Sequence, residues 1–344
     1  MGDFRLVGRA ERGGLAESWY QGAAAVATPD GRLVARLGSP ALATFLRSAA
    51  KPFQVLPLLE AGGAERWDLE AADIALVCAS HRGCPEHVER VGRLLEREEL
   101  DEELLQCGRH APFDDEAAAA LADRGEEPGV LHNNCSGKHA GMLLACRLSD
   151  WPLESYLEPE HPLQRRILEV LAEICAVDPD RIGVAVDGCS APCFHLPLEA
   201  AARGYAALAD PTGAGLPAER ATALGTVAEA MAAAPEMVAG PGAFTTRLIE
   251  VTGGRVLGKE GAQGVYAVAV RGPVALGMVL KIADGSEAIR AAVVLDLLRQ
   301  LGSLSAEELG RLESFHRTTL TNWRGTRVGE LVPDVELEEV DESR

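Results

Sequence analysis

The stretch "VYAVAVRGPVALGMVLKIADG", residues 265–285, constrains this chain more than any other. It is the longest apolar run, yet Arg271, Gly272 and Pro273 interrupt it. A bilayer-spanning helix needs about 20 unbroken apolar residues, so this run cannot be one. Gly and Pro between two β-rich halves read instead as two strands joined by a turn. A second such pair stands near the start, where "GAAAVATPDGRLVARLG" places two apolar runs around "PDG", a hairpin signal. "RVLGKEG" adds a further short β-rich run before residue 265, and "GELVPDVELEEVDESR" a short strand followed by an acidic tail expected to fray.

Between these ends the pattern is helical. "AAKPFQVLPLLEAGG", "DLEAADIALVCAS", "PEHVERVGRLLEREEL", "DDEAAAALADRG", "SGKHAGMLLACRL", "HPLQRRILEVLAEICAV" and "PAERATALGTVAEAMAAAP" carry helical spacing or helix-start signals. "IGVAVDG" reads as a buried strand within this region, and "SEAIRAAVVLDLLRQLG" as a long amphipathic helix near the end. Strands at both ends with a helical middle predict an α+β fold, an antiparallel sheet built from both termini and flanked by helices. We expect one catalytic domain over residues 1–344, with a sheet unit at about 1–47 and 240–344 and a mainly helical unit at about 48–239. A chain of 344 residues, 47% hydrophobic, has enough apolar side chains for such a core.

The formal net charge of −19 argues against nucleic acid or an anionic membrane as partner. Eight cysteines without a secretion signal suggest reduced thiols and metal ligands, and a cytoplasmic location is the expectation. The basic residues are more informative. Of 33, only Lys51, Lys138, Lys259 and Lys281 are lysine. An ammonium can lose its proton and act as base or ligand, whereas a guanidinium effectively cannot. In a chain that uses arginine almost everywhere, a retained lysine points to amine chemistry.

Each of the first three lysines has suggestive neighbours. In "LRSAAKPF" Ser48 and Lys51 are three residues apart, one face of a helix, and Pro52 is best tolerated near a helix start. That reading puts Ser48 at about the N-cap, where free N–H groups and the helix dipole favour developing negative charge; a plain capped helix is the alternative. "CASHRG" ends an apolar helix with Ser80 placed to face a cavity, or merely to cap. "LHNNCSGKHAG" sets Cys135 and Lys138 on the first turn of a helix, a chelating spacing. Cys189 in "VDGCSAP" would be a further ligand for a borderline-soft ion such as zinc, though two buried structural thiols fit that spacing as well. Lys259 lies between a short strand and glycines, the place in chain order that a second lysine holds in enzymes with an S-x-x-K motif.

Together "RSAAKPFQ", "CASHRG", "LHNNCSGKHAG", "HPLQR", "DGCSAP", "MVAGPGAF" and "GKEGAQGV" closely resemble the asparaginase family first recognised in rhizobia. The likeness runs from about residue 4 to residue 302. It implies a fold similar to serine β-lactamases and glutaminases, hydrolysis of L-asparagine, and two Ser–Lys pairs, here Ser48 with Lys51 and Ser80 with Lys259. It also implies Zn2+ held by Cys135, Lys138 and Cys189, substrate contact or support from Arg47, His139 and Asp187, and a homodimer. A serine amidase on glutamine or a β-lactam, and a zinc-binding relative without catalysis, are the competing readings. Glu260, where many members carry Thr, and Gln21, where His is expected, depart from the pattern; the first sets an acid beside Lys259.

Overall fold

The computed structural model describes residues 2–340. The acidic tail expected to fray ends in 341–344, outside the described residues. An antiparallel sheet dominates, with β1 (Arg5–Arg12), β2 (Leu15–Ala27) and β3 (Leu33–Leu37) from the start of the chain. From its end come β7 (Val256–Gly261), β8 (Val265–Val270), β9 (Leu276–Ile282), β10 (Thr318–Thr321), β11 (Arg327–Pro333) and β12 (Glu338–Glu339). The order is β10-β11-β1-β2-β9-β8-β7, with β3 on β2 and β12 on β3. The expected α+β architecture, a sheet drawn from both ends of the chain around a helical middle, is therefore what the chain adopts. The apolar run that suggested two strands forms β8 and β9, in register from Val265–Lys281 to Val270–Leu276.

Both faces of the sheet centre are covered, so its strands are apolar on both sides. Ala23, Ala25, Ala27, Ala267, Ala269 and Val279 face the main helical layer. Ala24, Val26, Val268, Met278 and Leu280 face the other way, with Val293, Val294 and Leu297 of the helix Arg290–Gln300. Alanine on the inner face lets the helix Leu198–Ala209 approach closely. At Gly277 the approach is extreme: a Cβ there would meet Ala202 O at 2.0 Å and Ala206 N at 2.1 Å.

Two local expectations are corrected. "AAKPFQVLPLLEAGG" is not one helix but the short turns Lys51–Gln54, Leu56–Glu60 and Gly63–Arg66. Pro57 lacks the N–H that would continue the first into the second. The middle region also holds a small sheet, β4 (Ala43–Phe45), β6 (Pro192–Pro197) and β5 (Gly183–Val186), in the order β4-β6-β5. Of these, only β5 was legible, as "IGVAVDG", and it is an exposed edge strand rather than the buried one expected, because only β6 pairs with it. The small sheet brings two candidate segments together: β4 delivers the chain to Arg47 and Ser48, while the turn from β5 to β6 carries Asp187 and Cys189. None of the helices among the described residues is long and apolar enough to cross a membrane.

Candidate active site

Ser48 lies in a 3-10 turn, Arg47–Ala50, that runs into the helical turn beginning at Lys51. Pro52 is at the start of that helical turn, as its missing N–H requires, but the N-cap position is Ala50. Ser48 is thus not the cap. Its backbone carbonyl accepts the Lys51 N–H, and no side-chain hydrogen bond of its hydroxyl occurs among the described residues. Arg47, at φ +52°, makes the turn in a backbone conformation that side chains other than glycine seldom adopt, a strain typical of functional sites.

Ser80 follows the helix Ala71–Val77, and the amines converge on it. Lys51 Nζ donates to Ser80 Oγ at 3.2 Å and to Ala79 O at 2.5 Å. Lys259 Nζ, from the edge strand β7, donates to the same Oγ at 2.8 Å and to Glu260 O at 3.0 Å. The expected pairing was Ser48 with Lys51; the hydrogen bonds of Lys51 run instead to Ser80 and its neighbour. Both lysines are almost wholly buried. Burial pushes Lys259 down to about 8, with Lys51 adding repulsion and Glu260 opposing it. Ser80 Oγ, accepting from two amines, keeps its own proton for a third partner.

That third partner would come from a cleft of about 600 Å³ onto which both Ser48 and Ser80 open. Arg82, Asn134, Thr245, Glu260, Tyr266 and Arg290 supply its polar wall. Sequence reasoning missed most of these. Arg82 and Asn134 sit inside quoted blocks, but Tyr266 and Arg290 reach the cleft only because β8 and a distant helix pack there. Neither Arg47, His139 nor Asp187 is among the residues lining it. Gln21 is exposed on β2, where its carbonyl accepts the Ala283 N–H.

Arg47 and Asp187 hold each other. Arg47 Nη2 and Nε reach Asp187 Oδ1 at 2.7 and 3.1 Å. Burial alone would raise the Asp187 carboxyl, but the guanidinium outweighs it and keeps the group ionised.

Behind Ser80 is a sulfur-rich cluster. Cys135 precedes the helix Ser136–Leu148, which carries Lys138 and His139, and Lys138 Nζ donates to Cys189 Sγ at 2.9 Å. The two thiols act on each other in opposite senses: Cys189 holds Cys135 well below the ordinary thiol value, while Cys135 and burial raise Cys189. Burial works against charge on Lys138, yet the two sulfurs outweigh it and raise its pKa. His139 Nδ1 is 2.6 Å from Tyr156 OH. Because the Gln106 N–H already donates to that oxygen, we assign the phenol proton to His139 Nδ1. Nε2 then carries the ring's proton, buried without a well-directed partner and turned towards Cys189. The "HPLQR" block serves this arrangement: His161 caps its helix and Gln164 holds Tyr156 O.

No group of three or more His, Cys, Asp or Glu side chains placed to hold a metal occurs among the described residues. Two thiols and an amine do converge, with an imidazole N–H beside one sulfur to support its charge. This donor set fits a borderline-soft divalent ion, provided the Lys138 and thiol protons leave on binding.

A comparison with curated proteins matches none of them. Among solved structures, Mglu in its native form shares 15% identity at a TM-score of 0.42, over 84% of this chain and 66% of that one. A Bacillus glutaminase shares 14% at 0.36, over 82% and 91%. The chain thus spans just under two-thirds of the Mglu structure, and likeness this distant says nothing of activity. The model of the L-asparaginase II family is a different matter, because it matches residues 9–333, which contain every serine, lysine and cysteine of the two clusters. With nearly its whole length matched, the chain belongs to the L-asparaginase II family, a family of amidohydrolases.

Proposed function

We propose that the chain hydrolyses L-asparagine to L-aspartate and ammonia through a serine acyl-enzyme. The observation that carries this reading is the pair of buried amines on Ser80 Oγ, beside a second, unbonded serine hydroxyl on the same cleft. In this reading Ser48 attacks the side-chain amide carbon, and neutral Lys51 takes up its proton. Ser80 then passes a proton from the lysines to the departing nitrogen, and the same route run backwards activates water for deacylation. In the turn at residues 47–51 the Lys51 N–H donates to Ser48 O and the Ala49 N–H to Leu46 O, so the N–H of Ser48 itself is the one that would stabilise the oxyanion. The Ser80 N–H is excluded from that task, since it donates to Val238 O. The identity of the amide comes from the family.

Zinc belongs to the proposal as a group that Cys135, Cys189 and Lys138 would hold. Bound there, it would supply Lewis acidity to anchor a polar end of the substrate. Arg47, Asp187 and His139 then act by shaping that side of the site: the ion pair fixes the turn carrying Ser48, and His139 supports the charge on Cys189. A homodimer is proposed from likeness to related enzymes alone.

The test is ammonia release from asparagine and glutamine, beside hydrolysis of a chromogenic β-lactam, for wild type, Ser48→Ala and Ser80→Ala. Asparagine should react fastest, and Ser48→Ala should lose about a thousandfold or more in kcat. A Ser48→Ala protein near the wild-type rate, with Ser80→Ala inert, would transfer the nucleophile to Ser80. Turnover of none of these substrates would overturn the amidase reading.

A further inference from the structure

Glu260 follows Lys259 on β7, and its side chain is one of the carboxylates in the cleft wall. Its Oε1 is 3.9 Å from Lys259 Nζ. Its Oε2 accepts the Thr245 hydroxyl at 2.5 Å, and Thr245 Oγ1 is 2.8 Å from Tyr266 OH. With the Thr245 proton given to Glu260, Tyr266 donates to Thr245. Thr245 and Tyr266 are themselves buried, so the carboxylate is bracketed and cannot swing freely towards solvent.

We propose that Glu260 is a positioning residue that holds Lys259 as an ammonium beside Ser80, so that Lys259 is the amine whose proton reaches the leaving nitrogen. This rests on the amidase reading above. In the step itself, Ser80 O–H gives its proton to the amide nitrogen while taking one from Lys259, the C–N bond breaks, and ammonia leaves. Lys259 is then a neutral amine. When water attacks the acyl-enzyme, the proton it releases returns through Ser80 and restores the ammonium, and as the ester bond breaks Lys51 gives its proton back to Ser48, so one turnover balances.

The surroundings of Lys259 show why such a holder is needed. Arg290 from the helix Arg290–Gln300, and Lys51 from the helical turn at residue 51 once it has taken up a proton, disfavour its charge. Cys135, at the start of the helix Ser136–Leu148, favours it. Cys78, at the end of the helix Ala71–Val77, is a neutral thiol pushed up to about 12 by burial. Glu260 is the carboxylate at ion-pair distance. Burial would otherwise strip the proton, and the resulting value of about 8 keeps Lys259 largely protonated at neutral pH. An activity that needs the ammonium falls as pH rises through that value. Losing Glu260 lowers the value, so activity must then fall at lower pH.

The chain's four lysines make a direct measurement practical. Protein carrying [ε-13C]lysine should show a small set of side-chain NMR signals, with that of Lys259 identified by its loss in Lys259→Met. In Glu260→Gln the Lys259 titration should move down by about one to three pH units, and Glu260→Asp should restore most of it. The alkaline limb of kcat/KM for asparagine should move down in parallel, and return in Glu260→Asp. An unmoved Lys259 titration in an active Glu260→Gln protein overturns this proposal alone. A moved titration with an unmoved alkaline limb overturns the proton-donor role. If wild type hydrolyses no amide, the amidase reading fails and takes the proton-donor role with it, while the titration still decides whether Glu260 holds the proton.

Discussion

Lys259 and Lys138 are both buried lysines, yet their environments drive them in opposite directions. Lys259 is pushed down to about 8, because burial dominates and its carboxylate partner stands at 3.9 Å. Lys138 is raised, because against the penalty of burial it faces the sulfurs of Cys189, at 2.9 Å, and Cys135. Burial sets a common penalty; the count and distance of anions decide the sign. One lysine can therefore trade a proton near neutral pH. The other holds its proton across the neutral range, so an ion bound there would first have to displace it.

The largest effect should come from breaking the first half of this contrast. Lys259→Met should cut kcat for ammonia release by about a thousandfold, the usual scale of a lost acid–base group, with KM little changed. Steady-state kinetics on asparagine checks it, and a loss below tenfold would place the chemistry elsewhere. Breaking the second half should be milder on rate but decisive for metal. Cys189→Ser or Lys138→Met should abolish bound zinc measured by elemental analysis of the purified protein, with wild type near one ion per chain. Zinc retained in both variants would show that these side chains are not its ligands.

The smallest effect sharpens the comparison thermodynamically. Lys259 binds fewer protons folded than unfolded between about pH 8 and the ordinary lysine value of 10.5. Its contribution to stability therefore rises with pH across that window and is unfavourable below it. Lys259→Met should accordingly stabilise the fold at pH 7 by on the order of 2 kcal/mol. The advantage should shrink from pH 8 to 10.5 in urea denaturation. An advantage that is absent, or that grows with pH, would mean the lysine is not strained by burial.

Much of this was legible in the chain itself. The interrupted apolar run was legible as two paired strands, because Arg271, Gly272 and Pro273 together make a turn that neither strand continues through. The rarity of lysine pointed to Lys51, Lys138 and Lys259, because amine and guanidinium differ in whether they release a proton. What only the tertiary structure decided was which groups meet. Lys51 donates to Ser80 rather than to Ser48, because the chain leaving the helix Ala71–Val77 sets Ala79 O and Ser80 Oγ against its amine. Lys259 joins them only because β7 forms the sheet edge against the turn Arg47–Ala50, which lets its amine reach Ser80 Oγ. Glu260 gains its bearing on that lysine from Thr245 and Tyr266, which pack around it. Spacing along a chain fixes neighbours within a helical turn; contacts between residues 51, 80 and 259 depend on how sheet and helices close over one another, and no local pattern encodes that.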